Sequence, residues 1–154
     1  MFIIFTKKKL IQLRNFLEQK GYYRIILKRI TSGHYTFKAK INNVSGVFIL
    51  DTGASNSCID FTYDSYFNLK KEDSKIKAAG AGALNMETAL AKNNLLLIEK
   101  WKLKKLDFIL MDLSHVNEAL KEVDELSVHG IIGADFLKQT RAVIDYGRNC
   151  FYVI

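Results

Sequence analysis

Apolar positions along the chain change period more than once. Between Lys8 and Lys20, Leu10, Leu13, Phe16 and Leu17 recur at steps of three and four, with Arg14, Glu18 and Lys20 elsewhere on the wheel. That spacing predicts an amphipathic helix, and Gly21 is placed to end it. The period then drops to two. Tyr23–Ile30 and His34–Ile41 read as strands, and Asn42-Asn43 reads as a turn in which either Asn can take φ > 0. Gly46-Val47-Phe48-Ile49-Leu50 is a continuous apolar run, the pattern of a strand covered on both faces. Asn56–Asp60 reads as extended again.

Residues 61–75 are mixed and polar, read as loop with a helical turn. Small residues fill Ala78-Ala79-Gly80-Ala81-Gly82-Ala83. Leu95–Ile98 and Leu106–Met111 read as strands. Asp112–Glu125 has helical spacing, with Asp112 or Ser114 available as a cap. Gly130–Gly133 is a short apolar strand, Ala134–Gln139 a short helix, and Ala142–Tyr146 with Asn149–Ile154 a closing hairpin around Gly147-Arg148. Many short strands with two or three helices make a mainly β domain.

Composition narrows this little. The 154 residues suit one domain, and 49% hydrophobic with 25% charged residues is ordinary for a soluble globular chain. Proline is absent, so the nine glycines carry most tight turns. The net charge of +7 raises nucleic acid as a partner. The basic residues are scattered in short pieces without interleaved aromatics, so solvated faces are the expectation and no nucleic-acid contact is expected. Cys58 and Cys150 form no disulfide framework and have no Cys or His at metal spacing, so buried free thiols are expected, and no metal or organic cofactor. His34, His115 and His129 are isolated from one another in the chain. Met1–Phe5 is too short for a membrane span or a signal core. The expectation is an untargeted, cytoplasmic chain without membrane association.

One segment carries chemistry. The apolar run Phe48-Ile49-Leu50 delivers Asp51 to a strand end, where a carboxylate is costly unless hydrogen-bonded or open to a cleft. Thr52 brings a hydroxyl, Gly53 permits a sharp turn, and Ala54 and Ser55 are small enough for backbone N–H groups to reach the acid. At Ile131, 80 residues beyond Asp51, the run Ile131-Ile132-Gly133-Ala134-Asp135-Phe136-Leu137 is a second apolar-apolar-Gly element opening a helix. There Asp135 is expected to start the helix and to pair with backbone or with Arg141. No internal repeat is visible, and Asp145-Tyr146-Gly147 is not a second Asp-Thr-Gly.

Together the two elements resemble the paired motif of the retropepsin-like, single-lobe aspartic proteases, which include the retroviral enzymes and bacterial relatives. The resemblance covers 34–154 and leaves 1–33 as a leading helix and strand. It implies a closed β-barrel lobe of the acid-protease type with a few peripheral α-helices. It further implies Asp51 as the catalytic carboxylate, and Thr52, Gly53, Ala54 and Ser55 as the supporting turn. Ala79, Gly80, Ala81 and Gly82 fall where such lobes carry a flap over bound peptide. One lobe supplies one aspartate and the chemistry needs two, so the resemblance implies a homodimer acting on a protein or peptide substrate. The rival reading is a lobe that keeps the turn as a non-catalytic peptide-binding or dimerisation module. Cys58 as a thiol-protease nucleophile lacks any His-Asn context, and strand packing accounts for it better. The N-terminal helix and the 112–125 segment depart from the compact retroviral pattern.

Overall fold

A computed structural model describes residues 7–73, 78–80 and 83–154. The apolar start Met1–Phe5 lies outside them. Helix α1 (Lys7–Gln19) ends where the sequence places its stop, with Gly21 at φ +86° and the Tyr22 N–H donating to the Leu17 carbonyl at 3.1 Å.

The run expected as one strand over 23–30 is divided. Strand β1 (Tyr23–Ile26) pairs antiparallel with β13 (Cys150–Val153), and β2 (Lys28–Arg29) pairs with β3 (Tyr35–Ile41). Between them buried Leu27 donates its N–H to the Asn149 carbonyl at 2.8 Å, so the chain passes from one sheet to another at that residue. Strands β3 and β4 (Val44–Leu50) form a hairpin in which both Asn42 and Asn43 have positive φ, 49° and 70°. That is the conformation a tight two-residue hairpin turn needs.

Next come β5 (Cys58–Asp60), a 3-10 turn at Phe61–Tyr63, and β6 (Lys71–Asp73). Strand β6 lies in the stretch expected to be loop; its pairing with β9 (Ala89–Ile98) makes a strand of a polar segment with no alternation of its own. Strand β10 (Trp101–Met111) returns along β9, with register shifts between Leu103 and Phe108. Helix α2 occupies only Ser114–Lys121 of the expected 112–125, and Asp124 takes φ +57° just beyond it. Its N-cap is Leu113, which makes no side-chain cap bond; Asp112 Oδ1 accepts the Ser114 N–H at 2.8 Å instead.

Strand β11 (Gly130–Ile132), helix α3 (Ala134–Gln139) and strand β12 (Val143–Asp145) complete the order, followed by a 3-10 turn at Tyr146–Arg148 and β13. The strands β3, β4, β11, β5, β10 and β9 pair in succession, and β9 pairs back to β3, closing a six-strand barrel. Two contacts in this ring are parallel: β4 with β11, and β5 with β10. Strands β1, β13 and β12 form a separate three-stranded sheet.

The core fills the barrel and the space between it and that sheet. Phe37 and Phe151 meet edge to face at 5.4 Å, and Phe136 of α3 reaches Phe151 at 6.4 Å. Burial of such rings supplies most of the driving force for closing the two layers on each other. A smaller cluster sits outside the barrel wall, where Leu120 of α2 and Val128 cover Ile49, with Val47, Val116 and Ile131 around them.

Candidate active site

Strand β11 lies between β4 and β5, pairing Ile132 with Leu50 and Ile131 with Cys58. Both apolar runs singled out in the sequence therefore sit side by side. The Asp51 N–H donates to the Ile132 carbonyl at 3.0 Å, which extends the parallel ladder by one bond and fixes where the acid leaves the sheet.

Beyond it the chain turns at once. The Ala54 N–H reaches the Asp51 carbonyl at 3.3 Å, and the Gly53 N–H donates to Asp51 Oδ1 at 2.8 Å. A Cβ at Gly53 would stand 3.2 Å from that same Oδ1, so a side chain there would crowd the carboxylate. Asp51 and Ala54 are half-buried, whereas Thr52, Gly53 and Ser55 are exposed. The acid is thus oriented by a backbone donor while it stays in reach of solvent.

The turn is tied to the second motif from beneath. The Ala134 N–H donates to the Ala54 carbonyl at 2.8 Å. Gly133 passes so close that a Cβ would meet Ala54 O at 2.6 Å and Asn56 O at 2.8 Å; only glycine fits. Ser57, fully buried, holds the junction: its Oγ donates to Asp135 Oδ1 at 2.7 Å and accepts the Gly133 N–H at 3.0 Å. Asp135 Oδ1 also accepts the N–H groups of Ser57 and Phe136, at 2.9 and 2.7 Å. Asp135 thus pairs with backbone and with Ser57, where the alternative had been Arg141. Such a satisfied network of charge-assisted bonds makes the turn rigid.

Ser57 and Asp60 are residues the sequence did not single out. Asp60 is buried, takes the Thr62 N–H and hydroxyl on Oδ1 at 2.8 and 2.5 Å, and takes the Leu113 N–H on Oδ2 at 3.0 Å. With its acceptors filled by protein donors it anchors β5 to the start of α2 and is not available to a substrate. No local pattern marks Ser57: its partners are 76 and 78 positions away in sequence.

Of the small-residue run, Ala79 and Gly80 lie in β7 (Ala78–Gly80), which pairs antiparallel with β8 (Ala83–Met86) as an isolated hairpin. Ala81 and Gly82 lie outside the described residues. Cys58 is buried, and burial pushes its thiol up to about 12, so it is protonated at neutral pH and unsuited to nucleophilic attack. His129 serves packing. Its ring lies 4.5 Å from Tyr63, and its Nδ1 accepts the Val47 N–H at 3.1 Å. Burial holds its pKa below the ordinary value. Among the described residues, no group of three or more His, Cys, Asp or Glu side chains converges as a metal site would require. No described helix is long and apolar enough to cross a membrane.

A half-buried carboxylate, held at a strand end on a rigid turn, can accept a proton from a water or donate one to a carbonyl. A family model described as aspartyl protease matches residues 37–136. Among solved structures, the chain is similar to a retropepsin-like aspartic protease from Rickettsia conorii, at 22% identity and a TM-score of 0.57 over 86% of this chain and 91% of that one. It is similar to the EIAV protease complexed with the inhibitor HBY-793, at 18% identity and 0.57 over 77% and 98%. A third likeness is to the retroviral protease-like domain of Ddi1 from Leishmania major, at 18% identity and 0.54 over 77% and 86%. At these identities the likeness is one of fold. No curated protein matches the chain in sequence.

Proposed function

The chain belongs to the aspartyl protease family, and from that premise we propose that it is an endopeptidase whose active site is a water held between the Asp51 carboxylates of two copies. One carboxylate takes a proton from the water as its oxygen attacks the scissile carbonyl carbon. The other, protonated, gives its proton to the carbonyl oxygen. The resulting diol then collapses, the C–N bond breaks, and the amine leaves with a proton. Two carboxylates that share one water cannot readily both ionise, so the proposed pair would titrate as a unit.

The observation that carries this reading is the position of Asp51. It is half-buried at the end of β4, with Oδ1 held at 2.8 Å by the Gly53 N–H and the backbone pinned to β11. Support for the second copy comes from the chain's own inventory: it has one Asp-Thr-Gly. The exposed Thr52, Gly53 and Ser55 are the surface a facing turn would cover across a two-fold axis. Strands β7 and β8, with Ala79 and Gly80 in β7, are the element to close over an extended peptide.

Asp51→Asn keeps the Gly53 bond and removes the acid. Wild type and variant should be assayed on a peptide library at acidic and neutral pH. Cleavage by wild type and none by the variant is expected; equal cleavage by both would falsify the assignment. Sedimentation should show a dimer under assay conditions, and an active monomer would sink the shared dyad.

A further inference from the structure

The outer wall of the barrel carries a concavity of about 610 Å³ where β3, β4 and the end of β9 meet. It is lined by Lys38, Lys40, Val47, Leu97, Glu99 and His129, among others. The register explains the grouping: Lys38 stands opposite Val47, and Lys40 opposite both Ser45 and Leu97. Both lysines are exposed and project from alternate positions of β3, so they share its outer face. Glu99 is the one acid of the lining, and it already accepts the Tyr23 hydroxyl at 2.6 Å. Burial lowers the pKa of His129, whose Nδ1 accepts the Val47 N–H at 3.1 Å. Tyr66, exposed, stacks on His129 at 5.6 Å.

Two lysines against one glutamate leave the lining net positive around an apolar floor of Val47 and Leu97, on a chain of net charge +7. The volume is in the range of sites that hold a compact ligand. Strands β3 and β4 are paired on both sides within the barrel, so recognition here runs through side chains and not through added strand pairing. From Val47 to Asp51 the distance along β4 is roughly 13 Å at the usual strand rise, too far for the concavity to touch the scissile bond.

We propose that this concavity is an exosite for an acidic segment of the protein substrate that carries apolar side chains, remote from the bond to be cut. The inference rests on the protease reading for what the segment belongs to, but its binding does not require turnover.

The test uses Asp51→Asn protein, so that nothing is cleaved, and fluorescence anisotropy of a labelled peptide alternating Glu with Leu. The same peptide with Gln in place of Glu is the control. The Glu peptide should bind about tenfold more tightly than the control and weaken with added salt, and the double charge reversal Lys38→Glu with Lys40→Glu should weaken it by about tenfold. Equal binding of the two peptides, or no effect of the reversal, overturns the exosite. Equal competition by inorganic phosphate reassigns the concavity to a small anion and overturns the peptide. With Asp51 intact, the same reversal should leave kcat/KM for a short uncharged substrate unchanged. If wild type fails to cleave any such substrate, the protease reading fails while the binding measurement still judges the exosite.

Discussion

Two strands of this chain run into Asp-X-Gly. Strand β4 leads into Asp51-Thr52-Gly53, and β12 ends in Asp145-Tyr146-Gly147. The acids meet different environments. Asp51 is half-buried and oriented by the Gly53 N–H. Asp145 is 9% exposed, and no described protein group hydrogen-bonds its Oδ2. The glycines differ as well. A Cβ at Gly53 would stand 3.2 Å from Asp51 Oδ1, while one at Gly147 would meet nothing nearer than Asp145 Oδ1 at 3.6 Å. The first turn is cross-braced by Ser57 bonding to Gly133 and Asp135 of the neighbouring motif. The second rests on a 3-10 turn closed by Asn149 at φ +48°. A carboxylate ready for chemistry is one that is oriented yet open, and a tripeptide match does not distinguish that from a carboxylate merely enclosed.

The largest expected contrast is between Asp51→Asn and Asp145→Asn. The first should lower kcat by at least about a thousandfold with little change in melting temperature. The second should leave kcat near wild type; loss of cleavage in both would break the comparison and make Asp145 a second catalytic acid.

A comparable split is expected at the glycines. Gly133→Ala forces a Cβ to 2.6 Å from the Ala54 carbonyl oxygen and should cost about 3 kcal/mol in denaturant unfolding. Gly147→Ala should stay within about 0.5 kcal/mol. Ser57→Ala comes next. It strips the Gly133 N–H of its acceptor in a buried place and should cost about 2 kcal/mol, with kcat reduced because the turn loosens.

The last contrast appears only in the alkaline limb. Cys58, just past the first turn, has a folded-state pKa of about 12 against an ordinary 9.0. A raised pKa favours the protonated form in the folded state. Its contribution to stability is full below pH 9.0 and fades as pH climbs towards about 12. Cys58→Ala should flatten that limb of a stability-versus-pH curve, and an unchanged limb would show that the thiol is not its source.

Much of the fold was legible because local pattern and tertiary demand agree. The apolar run 46–50 is a central barrel strand, Asn42-Asn43 is its hairpin turn, and Gly21 stops α1. Where they disagree, the pattern misleads. Tyr23–Ile30 alternates like one strand, but Leu27 hands the chain from one sheet to another because its N–H is taken by Asn149. Residues 71–73 alternate with nothing, and only pairing with β9 makes them a strand. Helix α2 stops at Lys121 because the following residues turn back so that Val128 covers Ile49, with Asn117 bonding both the N–H and the carbonyl of Val128.

The sequence by itself determined the chemistry available: which residue types stand at 51–55 and at 131–137, and that they come with apolar strands and glycines able to bring them close. Tertiary structure decided which acids are free to act. Asp51, Asp60, Asp135 and Asp145 are the same residue type on or beside short strands. Three of them differ from Asp51 only in what the closed barrel and its covering elements place around them. Hydrogen-bond satisfaction and solvent access depend on partners far away in sequence, such as Ser57 for Asp135 at 78 positions, so they are properties of the assembled barrel and not of any local run.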